Sequence, residues 1–487
     1  MSDLRLVERN VHRVDVDGRR MLFHIPTSGL FELDSLSDEM IDLFAPVAAA
    51  DGARTDCVVT ADDVRRRFDG QHSPEAVVET IKELIDLEVL TDGRPLHPDH
   101  KSIEVKNFPL STIVLNVNSG CNLSCTYCYK EDLAAPANGE RMTFETAVKS
   151  IEMLLKEGES RDRFNIVFFG GEPLSNMPLI REVVAYAEQR AVEIDKKVDF
   201  SMTTNATLLT EDIVDYLEAH RFGLSISMDG PPAVHDRNRR TVGGGGTYAV
   251  VADKARMLLS RYHSRPVGAR VTLTAGVTDV VGIWDHLIND LGFHEVGFAP
   301  VTSGENTLFA LNGDELIDLF ASMKALGRRY MDAAFENRNI GFSNLHQMLS
   351  DLSEGNTKSL PCGAGVGLLA VDTKGEINLC HRFTGSDLPT FGHVDEGGID
   401  KPALGRFIES ALDRSDTGCD TCRIRNLCSG GCYHESYARY NDPIHPTYHY
   451  CDLMRDWVDF GIEVYTRIMD RNPDFFQNHI EPRRAKS

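Results

Sequence analysis

Between Ser111 and Val301 six short apolar runs alternate with amphipathic stretches, and that alternation constrains the fold more than any other feature. STIVLNV, FNIVFFGG, KVDFSMTTN, FGLSISMDG, GARVTLT and HEVGFAPV read as strands, with helical patterns near 143–157, 177–194, 211–220, 247–263 and 281–291. Strands separated by helices run parallel, because each helix returns the chain to the start of the next strand. The pattern predicts an α/β chain built on a partial (β/α)6 TIM-type barrel over residues 108–310. Such folds bind ligands at the strand C-terminal ends. Here those ends carry Gly, Asn and Asp.

The flanks differ from the barrel. Residues 1–100 open with VHRVDVDGRRMLFHIPTSGLFEL, two alternating runs around Asp17-Gly18 that predict a hairpin. SDEMIDLFAPVAAA and SPEAVVETIKELIDLEVL follow as helices, each opening on a Ser cap, the second ending at Asp92-Gly93. This winged-helix-like unit has no catalytic pattern and by itself reads as a structural cap. Residues 311–360 form a helical linker, and 361–455 combine seven cysteines with many turns and little periodicity, so that segment needs metal to fold. RDWVDFGIEVYTRIMDR predicts a closing helix within 456–487, with HIEPRRAKS as a frayed tail.

No apolar run approaches the ~20 residues of a spanning helix, and MSDLRLVERNVHR lacks a signal-peptide core. The expected location is the cytoplasm, where disulfides are rare and clustered cysteines point to metal or redox chemistry. Of eleven cysteines, Cys57 stands alone and reads as a small buried hydrophobe. The others form two groups: Cys121, Cys125 and Cys128, then Cys362, Cys380, Cys419, Cys422, Cys428, Cys432 and Cys451. The 51 basic against 74 acidic residues give a formal charge of -23, which argues against a general nucleic-acid binder or an anionic-membrane protein.

Cys121-Asn-Leu-Ser-Cys125-Thr-Tyr-Cys128 follows the first barrel strand, so three thiolates leave one loop at the ligand-binding end. Structural zinc takes a closed set of four ligands. A four-iron cube held by three cysteines keeps one iron open. This spacing, with an aromatic before the last cysteine, resembles the radical S-adenosylmethionine (SAM) superfamily. Gly170-Gly171-Glu172-Pro173 matches that family's loop whose main chain holds the SAM amino group, where small residues permit close approach. The resemblance also assigns Thr204 and Asn205, Ser227, and Leu273 to ribose, carboxylate and adenine contacts. Asp229 and Arg239 join them through Asp229-Gly230-Pro231, His235-Asp236, Arg239 and the Gly243 to Tyr248 run, a pattern similar to peptide-modifying SAM enzymes. Alone, the four glycines would be a flexible loop.

The distal cysteines, Cys362, Cys380, then Cys419-x2-Cys422-x5-Cys428-x3-Cys432 and Cys451, resemble the SPASM domain. That resemblance implies that Cys362, Cys380 and Cys432 hold one auxiliary cluster and Cys419, Cys422, Cys428 and Cys451 another, for three 4Fe-4S clusters in all. A zinc ribbon is the alternative for 419–432. Some family members have a further cysteine after the position of Cys362. Here Gly363-Ala-Gly-Val-Gly-Leu follows, so that cluster is expected to be open and able to hold a substrate thiolate. Sulfatase maturases carry an aspartate after the cysteine matching Cys380, whereas His381 stands here. Asp387 is the candidate catalytic base, with Asp395 and Glu409 as alternatives and an ordinary surface carboxylate as the plainer reading.

The layout resembles radical SAM/SPASM peptide maturases, most of all the thioether-forming maturation enzymes of quinohemoprotein amine dehydrogenase. The resemblance implies reductive cleavage of SAM, hydrogen abstraction from carbon, and Cys-to-Asp/Glu thioether formation in a small partner protein. It implies a cysteine-containing peptide substrate with a leader captured at an edge strand of the front unit. It also implies an electron donor such as flavodoxin or ferredoxin. Two other functions stay open: a formylglycine-generating sulfatase-type maturase, disfavoured by His381, and an iron-sulfur electron carrier, which would need no SAM loop.

Overall fold

The computed structural model describes residues 3–45, 47–48, 54–55, 57–97, 110–128, 139–301, 308–415, 417–446 and 449–480. The expected boundary between residues 100 and 108, and the tail from 481, lie outside the described residues.

In the front unit the strands are β1 (Asp3–Leu6), β2 (Val11–Val16), β3 (Arg19–His24), β4 (Gly29–Glu32), a ribbon of β5 (Val47–Ala48) with β6 (Arg54–Thr55), β7 (Val59–Thr60) and β8 (Leu90–Thr91). The helices are α1 (Ser35–Leu43), α2 (Ala61–Phe68) and α3 (Pro74–Asp86). The Asp17-Gly18 turn has positive φ at both residues, as a tight hairpin requires, and β4 extends that hairpin to a three-stranded antiparallel sheet. Ser73 caps α3, but the cap of α1 is Asp34, whose carboxylate accepts from Ser37 N at 2.7 Å. Ser37 therefore lies inside the helix it was expected to open, because Asp34 supplies a cap three residues earlier. Alternation on β3 divides two cores. Leu22 packs with Leu4, Met40, Phe44, Val64 and Phe68, while Phe23 joins the main core.

The six expected barrel strands are β9 (Thr112–Asn118), β10 (Arg163–Gly170), β11 (Lys197–Thr204), β12 (Gly223–Ser227), β13 (Val267–Leu273) and β14 (Glu295–Pro300). Between them run α4 (Phe144–Glu157), α5 (Met177–Glu193), α6 (Glu211–Ala219), α7 (Pro232–Asn238), α8 (Tyr248–Arg261) and α9 (Val280–Asp285). Pairing is parallel and sequential from β9 to β14, and these two outer strands do not pair with each other, so the barrel is open. On β10 Phe164, Ile166 and Phe168 are buried under helices while Asn165, Val167 and Phe169 are half-buried on the lumen side. A parallel strand covered on both faces reads as uniformly apolar; this alternation marks a lumen open to water or ligand.

The linker folds as α10 (Gly313–Phe335), opened by an Asn312/Glu315 capping box, and α11 (Ser343–Ser353). The cysteine-rich segment then adds β15 (Leu368–Val371) parallel to β9 and β16 (Ile377–Asn378) antiparallel to β15, extending the barrel sheet to eight strands. It continues through β17 (Gly392–His393), β18 (Gly398–Ile399), α12 (Lys401–Leu412), α13 (Arg425–Cys428) and α14 (Tyr433–Tyr440). The closing helix is α15 (Cys451–Arg471), which buries Trp457, Phe460, Ile462, Val464 and Ile468, and α16 (Asp474–His479) follows it.

The front unit is bolted to this C-terminal part. His12 on β2 meets Asp459 on α15 at 2.7 Å, and Arg423 reaches the same carboxylate at 2.8 Å. Buried Arg425 donates to Arg9 O at 2.5 Å and Asn10 Oδ1 at 3.3 Å, and Asn426 Nδ2 donates to Ile25 O at 2.9 Å. No described helix is long and apolar enough to cross a membrane.

Candidate functional site

The loop leaving β9 carries Cys121, Cys125 and Cys128, and its main chain is stitched to the segment after α7. Ser124 N donates to Arg240 O at 2.8 Å, Thr126 N to Asn238 O at 3.0 Å, and Thr126 Oγ1 to Asn238 Oδ1 at 2.8 Å. The three thiols stand near enough for charge on one to oppose charge on the next, and burial pushes Cys121 up to about 12. Leu123 N donates to Cys121 Sγ at 3.4 Å, and Asn205 Nδ2 lies 3.8 Å from it. Buried thiols of this kind become thiolates when a cation stabilises the charge, so the donor set fits a metal cluster.

Gly170 and Gly171 end β10 against that loop. Gly170 has φ +144, and a Cβ there would lie 2.2 Å from Asn118 O; at Gly171 it would lie 1.9 Å from Gly120 O. The glycines are thus required by the chain's own main chain, in addition to any ligand. Glu172 follows, fully buried, accepting from Thr204 Oγ1 at 2.6 Å, Asn205 N at 2.8 Å and Leu174 N at 3.0 Å. Burial raises its carboxyl to about 7, with the three donors opposing that shift. Pro173 starts the short 3-10 turn to Asn176. Asn205 Nδ2 also bonds Asn122 Oδ1 at 2.9 Å, so the ends of β10 and β11 and the cysteine loop form one polar network.

Asp229 and Arg239 are buried together, Arg239 Nε and Nη2 donating to the two carboxylate oxygens at 2.9 and 3.1 Å. Tyr127 Oη donates to Asp229 Oδ2 at 2.6 Å and Thr272 N to Oδ1 at 3.0 Å. This carboxylate is engaged by the chain itself, and the pair braces the cysteine loop. Ser227 is half-buried at the end of β12, whereas Leu273 turns its side chain into the core beneath the helices and brings only main chain to the mouth. In the sequence Tyr127 is only an aromatic within the cysteine motif and Thr272 only a strand residue; their shared partner, Asp229, lies too far along the chain to be read.

The seven distal cysteines separate into two sets. Charge on Cys362 and Cys432 bears on Cys380, while charge on Cys419, Cys422 and Cys451 bears on Cys428. Burial raises Cys380 to about 12 and Cys428 to about 11. Cys362 is solvent-exposed, and the turn after it is closed by Val366, Gly367 and Leu368 N donating to Gly363 O. His381 packs against Phe169 of β10 with the rings tilted and their centroids 4.1 Å apart, joining the first set to the barrel mouth. Among the described residues no three such side chains converge on one point as for a single metal ion. A cube is held at its corners, one thiolate per iron, so separated thiols suit it. Asp387 is exposed and accepts from Tyr437 Oη at 2.5 Å; Asp395 pairs with Lys149 at 2.5 Å on the surface. Cys57 is half-buried.

Residues 115–280 match the family model described as the Radical SAM superfamily. The chain is 30% identical over 158 residues to the cysteine-type anaerobic sulfatase-maturating enzyme of Clostridium perfringens strain 13, covering 32% of this chain and 42% of that enzyme. The match therefore spans less than half the relative's length. Native anSMEcpe with bound AdoMet superposes with a TM-score of 0.64 at 19% identity, over 74% of this chain and 100% of that one. Streptococcus suis SuiB bound to precursor peptide SuiA superposes at 0.51 with 14% identity, over 92% and 99%. The chain has the radical SAM fold around a central parallel sheet, and its Radical SAM domain implies one 4Fe-4S cluster and SAM.

Proposed function

We propose that this radical SAM fold belongs to a peptide maturase that joins a cysteine sulfur to a side-chain carbon of Asp or Glu in a small partner protein, of the kind the small subunit of quinohemoprotein amine dehydrogenase represents. The observation that carries the reading is the incomplete thiol set of Cys362, Cys380 and Cys432, with exposed Cys362, adjoining the barrel mouth through His381 and Phe169. A substrate thiolate is the natural fourth ligand for such a set. SuiB's bound precursor peptide supports a peptide as substrate class.

Cys121, Cys125 and Cys128 would hold the barrel cluster, with Gly170, Gly171, Glu172, Pro173, Thr204, Asn205 and Ser227 around SAM. Cys419, Cys422, Cys428 and Cys451 would hold a third cluster. When bound, cluster and SAM supply a carbon-centred radical able to remove hydrogen from an unactivated C–H bond. The chain's part is positional. Asp229, Arg239 and Tyr127 fix the cysteine loop, and Gly170 and Gly171 set the β10 end against it. Asp387, held by Tyr437, is an exposed carboxylate that can take a proton from an incoming thiol.

A sulfatase-type reading, oxidation of a cysteine to formylglycine, is favoured by the 30% identical relative. Mass spectrometry of a small cysteine-containing partner protein co-expressed with this chain separates the two. Thioether formation removes two hydrogens, a loss of ~2 Da per linkage, and leaves a sulfur that resists alkylation. An aldehyde with sulfur lost from the peptide assigns the chain to the sulfatase-type reaction instead.

A further inference from the structure

The lumen side of β13 carries a cation, Arg270, that no acid among the described residues neutralises. Val267, Ala269, Val271 and Leu273 are buried on the helix side, so alternation turns Arg270 and Thr272 into the lumen. Arg270 is accessible to water although protein surrounds it on most sides, as in a cleft. Its guanidinium lies against the neighbouring strand at Gly297, where a Cβ would stand 3.2 Å from Arg270 Nη1. Among the described residues no hydrogen bond or ion pair engages it. Burial pushes the Arg270 pKa down, joined by the like charge of Arg382, two residues beyond Cys380.

Among the described residues most lumen acids are held elsewhere, and Glu295, two residues before Gly297 on β14, lies against Gly268 and forms no ion pair with Arg270. Asp229 is held by Arg239, Tyr127 and Thr272 N, and Glu172 by Thr204, Asn205 and Leu174. Asp199, lower on the lumen face, pairs with Arg163 and Arg265, and half-buried Glu435 answers Arg382 and Arg439. Among the described residues this inward arginine is left without an acid partner, and such a cation can take an anion from outside. A guanidinium fork matches a carboxylate in plane and spacing better than any other side-chain anion receptor.

We propose that Arg270, with Arg382 beside it, receives the side-chain carboxylate of an acidic residue of the peptide substrate at the barrel mouth. This rests on the maturase reading above and specifies its acidic partner. The carboxylate of SAM has the same chemistry, so the test separates the two sources. The cluster-loaded protein is labelled with phenylglyoxal, which reacts with unpaired accessible guanidiniums, and adduct at Arg270 is read by peptide mapping. Probes are SAM alone, a capped Cys-Gly-Gly-Glu peptide and its Gln counterpart. The Glu peptide should protect Arg270 roughly tenfold better than the Gln peptide, the discrimination expected of a charge-assisted carboxylate contact. Arg270→Gln should abolish the Glu-over-Gln preference in peptide binding. Equal protection by both peptides, protection by SAM alone, or a preference that survives in Arg270→Gln overturns the proposal. Thioether formation without Glu-specific protection would sink this site alone, and Glu-specific protection without thioether would sink the maturase reading alone.

Discussion

Tyr127 donates its hydroxyl to Asp229 at 2.6 Å, linking the middle of the cysteine loop to a residue 102 positions later. Arg239 clamps the same carboxylate and lies 5.5 Å from the Tyr127 ring, so one buried charge pair fixes both the loop and the residue beside Cys128. Asp229→Asn leaves Arg239 buried without its counter-charge and should cost about 3–5 kcal/mol of stability. Tyr127→Phe removes one hydrogen bond and should cost about 1–2 kcal/mol. Denaturant unfolding and iron content per chain after anaerobic reconstitution check both. Wild-type iron retention in Asp229→Asn would mean that the brace does not position the loop.

Iron arithmetic tests the cysteine sets directly. Three four-iron clusters predict about twelve irons per chain. Replacing Cys121, Cys125 and Cys128 together by Ala should remove about a third of the iron and all SAM cleavage, leaving the distal sets loaded. Cys57→Ala should retain near-normal iron, since that half-buried thiol lies outside both groups.

The barrel was legible because each strand is short, bounded and followed by a helix of the right period, so β9 to β14 fall on the six apolar runs. The thiol spacing and the GGEP loop were legible for the same reason: their chemistry is local. Contacts across long stretches were not. Nothing in Leu368–Val371 announces that it pairs with β9, more than 250 residues earlier, because a four-residue apolar run carries no address. The α1 cap was misplaced for a different reason, two competent capping side chains three residues apart at Asp34 and Ser37. Arg270 is not legible in the sequence because one charged residue in a strand pattern gains meaning only once its side of the sheet and its neighbours among the described residues are known.

Acid should destabilise the fold through His235. The imidazole is fully buried, with Asp229 N at 3.3 Å from Nδ1 and Thr247 Oγ1 at 3.0 Å from Nε2. Burial, reinforced by the Arg239 charge and opposed by Asp229 and Asp236, lowers its pKa to about 4. The unfolded chain near 6.5 binds the proton first, so stability is complete above pH ~6.5 and falls as pH drops toward 4. The loss approaches roughly 3 kcal/mol by the linkage of ~2.5 pK units. His235→Gln should flatten the dependence of unfolding free energy on pH in that window. An unchanged slope would assign the acid sensitivity elsewhere.

Arg425 offers the sharpest test of how the front unit is held. It lies between Cys422 and Cys428, and with its neighbours it reaches the front unit twice: its own guanidinium bonds Arg9 O and Asn10 Oδ1, and Asn426 bonds Ile25 O. The short segment between Cys422 and Cys428 thus supplies the donors on which the front sheet rests. Arg425→Ala leaves the part-buried acceptor at Arg9 and the buried one at Asn10 unanswered, a local cost of about 1–3 kcal/mol. Amide hydrogen exchange should quicken in β2, β3 and the turn to Thr27 while the barrel strands keep their protection. If the front unit serves to hold a peptide near the barrel, its looser seating lowers effective concentration rather than chemistry. Peptide modification should then slow far more than SAM cleavage without peptide. Equal slowing of both would mean that the contact supports the barrel itself, and unchanged exchange in β2 and β3 would mean that two contacts from α15, Asp459 to His12 and Arg467 to Asp17 at 2.8 Å, suffice to seat the unit.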